Sequence, residues 1–162
     1  MSICASVEEL AAALPLHGGL MGLDLGTKTI GVAVSDPLRR VASPLETVRR
    51  LKFSTDAARL LEIAGKRRLV GIVLGLPRNM DGSEGPRCQS ARAFGRNLAA
   101  LTPLPIGFWD ERLSTVAAER ALLEADTSRK RRAEVIDHVA AGIILQGLLD
   151  RLGYIGQGGA PQ

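Results

Sequence analysis

The chain has 162 residues, 46% of them hydrophobic, a net charge of +4 and a sequence pI near 9.6. That is enough for one domain with a full core, and the composition excludes wholesale disorder. Two cysteines, Cys4 and Cys88, with no CxxC pair and no Cys/His spacing, exclude a disulfide framework and a structural zinc site. Ser6-Val-Glu-Glu9 matches a helix capping box, and Leu10 and Leu14 follow at helical spacing before Pro15. Residues 1–19 therefore read as a short helical extension whose role is packing or none at all, leading through Gly18-Gly19 into the main domain. Acids (Glu8, Glu9) stand where a signal peptide would be basic, and no apolar run approaches the ~18 residues of a membrane span, so the expected location is the cytoplasm with no membrane contact.

The domain, residues 20–152, is organised around LMGLDLGTKTIGVAVSD. It reads as strand Leu20–Leu25, a tight turn in which Gly26 supplies the reversal through positive φ, and strand Ile30–Ser35. Val41–Val48 reads as a third strand, placed at an edge by Pro44. Ser54 or Thr55 is expected to cap a helix to Lys66, with Ala57, Leu60, Leu61 and Ala64 on one face. Leu69–Leu74 is a continuous apolar run of the kind buried on both faces in parallel sheets. A loop over Gly75–Arg87, a helix over Cys88–Leu101 and a strand over Ile106–Trp109 follow. A helix to about Ala125 comes next, then a basic linker over Asp126–Arg132. A long helix over Ala133–Leu152 and a flexible tail over 153–162 end the chain. The pattern βββαβαβαα predicts an α/β fold: a mixed five-stranded sheet, three antiparallel strands then two parallel, flanked by helices.

Three acids are not explained by solubility. Asp24 interrupts a core strand, where a carboxylate is depleted and rarely buried without a partner. Its structural reading is a bond to turn amides; its functional reading is a metal ligand at the sheet centre. Glu111 stands in FWDERLST just past a strand's carboxyl end, where α/β sheets place functional groups. Its neighbour Asp110 points to the opposite side. Asp137 lies on the flank of a helical stripe formed by Ile136, Val139, Ala140, Ile143 and Ile144, with His138 turned toward the outer face. Converging carboxylates need a cation between them, and hard oxygen ligands select Mg²⁺ or Mn²⁺, the metals of phosphoryl chemistry. The run Arg129, Lys130, Arg131 and Arg132 precedes Asp137 and would bring phosphate-binding charge to it. Thr27 and Lys28 in the turn, Arg78 and Asn79 in the loop, and Arg112 in DERLST are further candidate nucleic-acid contacts. Aromatic residues are too few for a base-stacking platform.

GLDLGTKTIGVAVSD, GLPRNMDGSEG, DERLST and IDHVAA occur in that order. Together they resemble the YqgF family, also called RuvX, of the RNase H-like superfamily, over about Leu20 to Leu152. The resemblance implies an RNase H-like fold and a metal-dependent nuclease whose acids are Asp24, Glu111 and Asp137. It implies two substrates: the 5′ end of pre-16S rRNA, in a pre-ribosomal setting, or a Holliday junction, by similarity to RuvC. One departure stands out. RuvC-type enzymes carry an acid on the fourth strand, and the strand ending in Gly75-Leu76-Pro77 has none. A non-catalytic nucleic-acid-binding module is the alternative from another class. An ATPase of the actin and Hsp70 type is disfavoured, because one domain cannot enclose a nucleotide. A resolvase would be expected to dimerise; monomer and homodimer both stay open.

Overall fold

Strand alternation decides how this chain divides its core. The computed structural model describes residues 3–114 and 129–156, with side chains in the second stretch from residue 138 onward. Leu20–Leu25 (β1), Thr29–Ser35 (β2) and Ala42–Arg49 (β3) form an antiparallel meander, and Gly71–Leu76 (β4) and Ile106–Asp110 (β5) add in parallel to β1. The order is β3-β2-β1-β4-β5, the mixed sheet expected, with Pro44 on an edge strand where its missing N–H costs no ladder bond. Four helices lie among the described residues: Val7–Ala13 (α1), Phe53–Lys66 (α2), Pro86–Ala99 (α3) and Arg129–Gly156 (α4). One face of the sheet, with Met21, Leu23, Ile30, Val32, Ile72 and Leu74, packs on Leu60 of α2 and on Phe94 and Leu98 of α3. The other face, with Leu20, Ala33, Val73 and Trp109, packs on α4 and on Leu10 of α1.

Several boundaries move, each for a packing reason. Lys52, not Ser54 or Thr55, is the N-cap of α2; Phe53 is drawn into the helix by its edge-to-face contact with Phe94, ring centroids 5.2 Å apart. Asp56 then serves the preceding backbone by accepting the Leu51 N–H at 3.1 Å. Strand β4 starts at Gly71, because Leu69 N–H bonds back to Ala64 O of α2 and Val70 N–H bonds to Gly19 O. Gly26 does not use positive φ, which among the described glycines belongs to Gly18 and Gly82. Its requirement is space: an added Cβ would stand 3.0 Å from Thr29 O, the acceptor of the Gly26 N–H.

The basic run 129–132 is not a linker. It opens α4, since Arg and Lys are good helix formers, and the helix continues through Gly156 rather than ending at Leu152. The expected helix to Ala125 and the tail beyond Gly156 lie outside the described residues. His138–Gly156 is long and apolar enough, by length and composition, to cross a membrane. Here it is a core helix: Ala140, Ala141, Ile144, Leu145, Leu148 and Leu149 are buried against the sheet.

The N-terminal extension is built into the fold. Ser6 accepts the Glu9 N–H at 3.1 Å and Glu9 accepts the Ala5 N–H at 2.7 Å, the capping box read from the sequence. Cys4 N–H bonds to Ile106 O at 2.8 Å, which covers part of the β5 edge.

Candidate active site

The three parallel strands end at one edge of the sheet, and the turn 26–28, the loop 77–85 and the Glu111–Leu113 3₁₀ turn gather there. Ligands of α/β sheets bind outside such carboxyl ends. One row of residues crosses the sheet just inside this edge. Thr47 of β3 pairs with Gly31 of β2, Gly31 with Asp24 of β1, and Gly75 of β4 with Trp109 of β5. The β1–β4 register, with Leu23 opposite Leu74, sets Asp24 beside Gly75. Every member of the row faces α4, because Gly22, two residues before Asp24, lies against Ala141 and Leu145 of that helix.

Asp24 is therefore a carboxylate 2% exposed, between two strand neighbours that have no side chain. The space above one of them is filled. A Cβ on Gly75 would stand 2.9 Å from Glu111 Oε2 and 2.6 Å from Ile144 Cδ1. Glu111 thus lays its carboxylate over β4, the strand next to Asp24 in the sheet. The absent fourth-strand acid has this physical explanation: Glu111 reaches across from the end of β5 and occupies the room that glycine leaves.

Asp110 and Glu111 part as strand alternation requires. Asp110 turns to the α3 side, accepts the Arg112 N–H at 2.9 Å and pairs with the Arg112 guanidinium at 2.7 Å. The Arg112 hydrogen bond holds the Asp110 carboxyl below its usual range, ahead of an opposing effect of burial.

Asp137 lies in α4 one turn before Ala141; its side chain is outside the described residues. The buried stripe of the helix is not the one expected. Val139 and Ile143 are only half-buried, while Ala141, Leu145, Leu148 and Leu149 join Ala140 and Ile144. At about 100° per residue this turns the stripe so that position 137 falls near its middle rather than on its flank. His138 does not face outward. Its Nδ1 is 2.9 Å from Thr47 Oγ1, at the β3 end of the Asp24 row.

Among the described residues no group of three or more His, Cys, Asp or Glu side chains gathers as a metal site. Asp24 on the α4 face of β1 and Glu111 over the neighbouring β4 are hard oxygen donors of the kind that fit Mg²⁺ or Mn²⁺, and a cation held by both would offset the repulsion of two like charges.

The predicted nucleic-acid contacts separate into exposed and engaged groups. Thr27 and Lys28 are exposed, and Asn79, exposed as well, donates through Nδ2 to Ser83 Oγ at 2.9 Å. Arg78 pairs with Glu84 at 3.0 Å, and Glu84 also takes a two-pronged pair from Arg92, 2.6 Å on each oxygen. Arg112, paired with Asp110, also donates to Met80 O at 3.4 Å. These arginines fasten the loop 77–85 to α3 and to the end of β5. Side chains of Arg129, Lys130, Arg131 and Arg132 are outside the described residues. Sequence reasoning missed Gly75, although a glycine inside an apolar strand signals the close approach of another group. Arg50, read as part of a solvated basic cluster, and Arg87, not singled out, each have a carbonyl partner distant in sequence.

Residues 18–151 match the family model described as RuvX, Holliday junction resolvase. The chain belongs to the RuvX family. It is 76% identical over 155 residues to a protein of Cereibacter sphaeroides strain ATCC 17029, covering 95% of this chain and 97% of that one. It is 74% identical to one of Paracoccus denitrificans, covering 96% and 98%. Both relatives carry the name "Putative pre-16S rRNA nuclease". Among solved structures it is similar to Thermus thermophilus RuvC in complex with a Holliday junction substrate, with a TM-score of 0.51 and 17% identity, covering 88% of this chain and 97% of that one. At that identity the likeness concerns the fold, which is RNase H-like.

Proposed function

We propose that this RuvX-family chain is a metal-dependent nuclease that matures the 5′ end of pre-16S rRNA in the cytoplasm, acting on the RNA alone or within a pre-ribosomal particle. Nuclease chemistry, hydrolysis of a phosphodiester bond, follows from the family and from the names of relatives above 70% identity. The substrate reading rests on those names. The observation that carries the metal reading is the Glu111 carboxylate lying over Gly75 beside the buried Asp24.

Asp24, Glu111 and Asp137 would hold Mg²⁺ or Mn²⁺. Such a cation lowers the pKa of a bound water and offsets charge on the reacting phosphate. The chain's own contribution is placement. Burial fixes Asp24, the Gly75–Ile144 contact fixes Glu111, and the exposed turn at Thr27 and Lys28 receives the phosphate backbone. In the hydrolysis a water oxygen bonds to phosphorus as the P–O ester bond breaks, and the leaving oxygen takes up a proton.

The test is cleavage of end-labelled pre-16S 5′-leader RNA and of a four-way DNA junction, each with Mg²⁺, Mn²⁺ or EDTA, by wild type and Asp24→Asn. Metal-dependent cutting of the RNA, lost in the variant, supports the proposal. Symmetric cutting of the junction alone supports resolution of Holliday junctions, the second reading, favoured by the family model's description; a homodimer is then expected. Binding without cutting, unaffected by substitution of the acids, supports a binding module.

A further inference from the structure

A cavity opens beside the β1–β2 turn. It has a volume of about 260 Å³ and is lined by Gly26, Thr27, Arg50, Pro86, Arg87 and Ser90, along with Leu25. Its lining holds two guanidinium groups and two hydroxyls and no acid. Arg50 donates through Nη1 to Gly26 O at 2.7 Å, and its guanidinium lies over the Phe94 ring, 5.7 Å from the centroid. Arg87 donates through Nη2 to Leu25 O at 3.4 Å.

Each bond uses one of the five N–H donors of an arginine and none of its charge. The carbonyls and the ring fix the planes of the two groups without neutralising them. Arginines held that way suit phosphate oxygens, which they can grip with two donors at once. The surroundings have the same sign: Lys28 stands on the turn, exposed, and exposed Arg49 and Lys52 flank Arg50. The cavity is smaller than the ~300–1,000 Å³ that encloses a drug-sized ligand, so it suits a phosphate and part of its sugar better than a whole nucleotide.

Thr27 follows Asp24 by three residues, at most about 10 Å of chain. A strand whose reacting phosphate lay at Asp24 and Glu111 would have this turn within reach of its neighbouring phosphates. We infer that Arg50, Arg87, Thr27 and Ser90 form a subsite for a neighbouring backbone phosphate of the nucleic-acid strand being cut, which positions that strand on the acids. This rests on the nuclease reading above.

The experiment measures binding of fluorescein-labelled pre-16S 5′-leader RNA by fluorescence anisotropy across a salt series, using the Asp24→Asn protein so that the RNA survives. Arg87→Gln, at an exposed position, and Ser90→Glu, which puts a negative charge in the cavity, are added singly. Arg96→Gln, in the last turn of α3, is the control. Arg87→Gln is expected to weaken binding about 5- to 10-fold and to lower the slope of log K against log salt by about 0.7 to 0.9, the loss of one phosphate contact. Ser90→Glu weakens binding at least as much, and the control changes neither quantity. A single neutral methylphosphonate linkage, moved along the RNA, should cost affinity at one position near the cleavage point, and nothing further there in Arg87→Gln. Unchanged affinity and slope in both variants, with the RNA still cut by the parent protein, would overturn the subsite and leave the nuclease standing. Failure of the wild type to cut or bind the RNA would remove the nuclease reading for this substrate, and the subsite with it.

Discussion

Two sets of arginines surround the same end of the sheet, and the structure uses them in opposite ways. On the β5 side Arg78, Arg92 and Arg112 pair with Glu84 and Asp110, and the loop 77–85 gains its shape from those pairs. On the β2 side Arg50 and Arg87 are held by main-chain carbonyls, which orient a cation and leave its charge in place. A count of basic residues would rank the two regions alike. Their partners show that the first is internal scaffolding and that the second presents charge outward. The lesson concerns reading sequences: an arginine belongs to a binding surface according to what already neutralises it.

The largest expected effect tests what both sets surround. Asp24→Asn should lower metal-dependent cleavage at least about 100-fold, some 2.7 kcal/mol of transition-state stabilisation, with an unchanged circular dichroism spectrum. Retained activity would leave the arginines arranged around a site without chemistry. Gly75→Ala comes next. Its methyl would meet Glu111 Oε2 and Ile144 Cδ1, so cleavage is expected to fall about 10- to 100-fold, with a loss of about 1–3 kcal/mol in urea unfolding. Normal activity would show that Glu111 need not lie over β4.

A third change separates the two arginine sets. Arg92, with a smaller contribution from Arg78, holds the Glu84 carboxyl below its usual range. Its ionised form is therefore favoured by folding, and the stability it contributes is present above the ordinary glutamate range, about pH 4.3, and lost as pH falls through the lowered value. Glu84→Gln should lower the urea midpoint near neutral pH, and the gap from wild type should narrow as pH falls below the ordinary glutamate range. Binding of RNA at neutral pH should hold or strengthen, since the substitution removes a negative charge. The smallest effect is that of Arg112→Gln. This half-exposed pair should lower Tm by no more than about 4 °C and leave the salt dependence of binding unchanged. A fall in that dependence would move Arg112 into the outward-facing set.

Much of this was legible in the sequence. The hairpin, the βαβ crossovers and the mixed five-stranded sheet followed from apolar runs and turn residues, because those signals are local. Asp24 and Glu111 stood out because carboxylates are unexpected where they sit. The role of Gly75 was hidden, since its partner Glu111 is 36 positions away and glycine states only that something comes near. The stripe of α4 was misread for a related reason. Alanines and isoleucines on adjoining faces leave the wheel nearly symmetric, and the choice was made by Gly22, whose bare Cα lets Leu145 approach the sheet. The split among the arginines was invisible because ion pairing and carbonyl anchoring depend on long-range contacts.

One further consequence comes from Trp109, the chain's single tryptophan. Its indole is buried against Gly147 of α4, with no hydrogen-bond partner for Nε1 among the described residues. It stands two strands, about 10 Å, from Asp24 in the same row. The protein therefore carries its own optical reporter. Native emission should be blue-shifted, and Mn²⁺ arriving at the acids should quench it while Mg²⁺ leaves its intensity high, with EDTA reversing the effect. Detachment of α4 should move the emission to the red, so one unlabelled sample distinguishes cation binding from loosening of the helix.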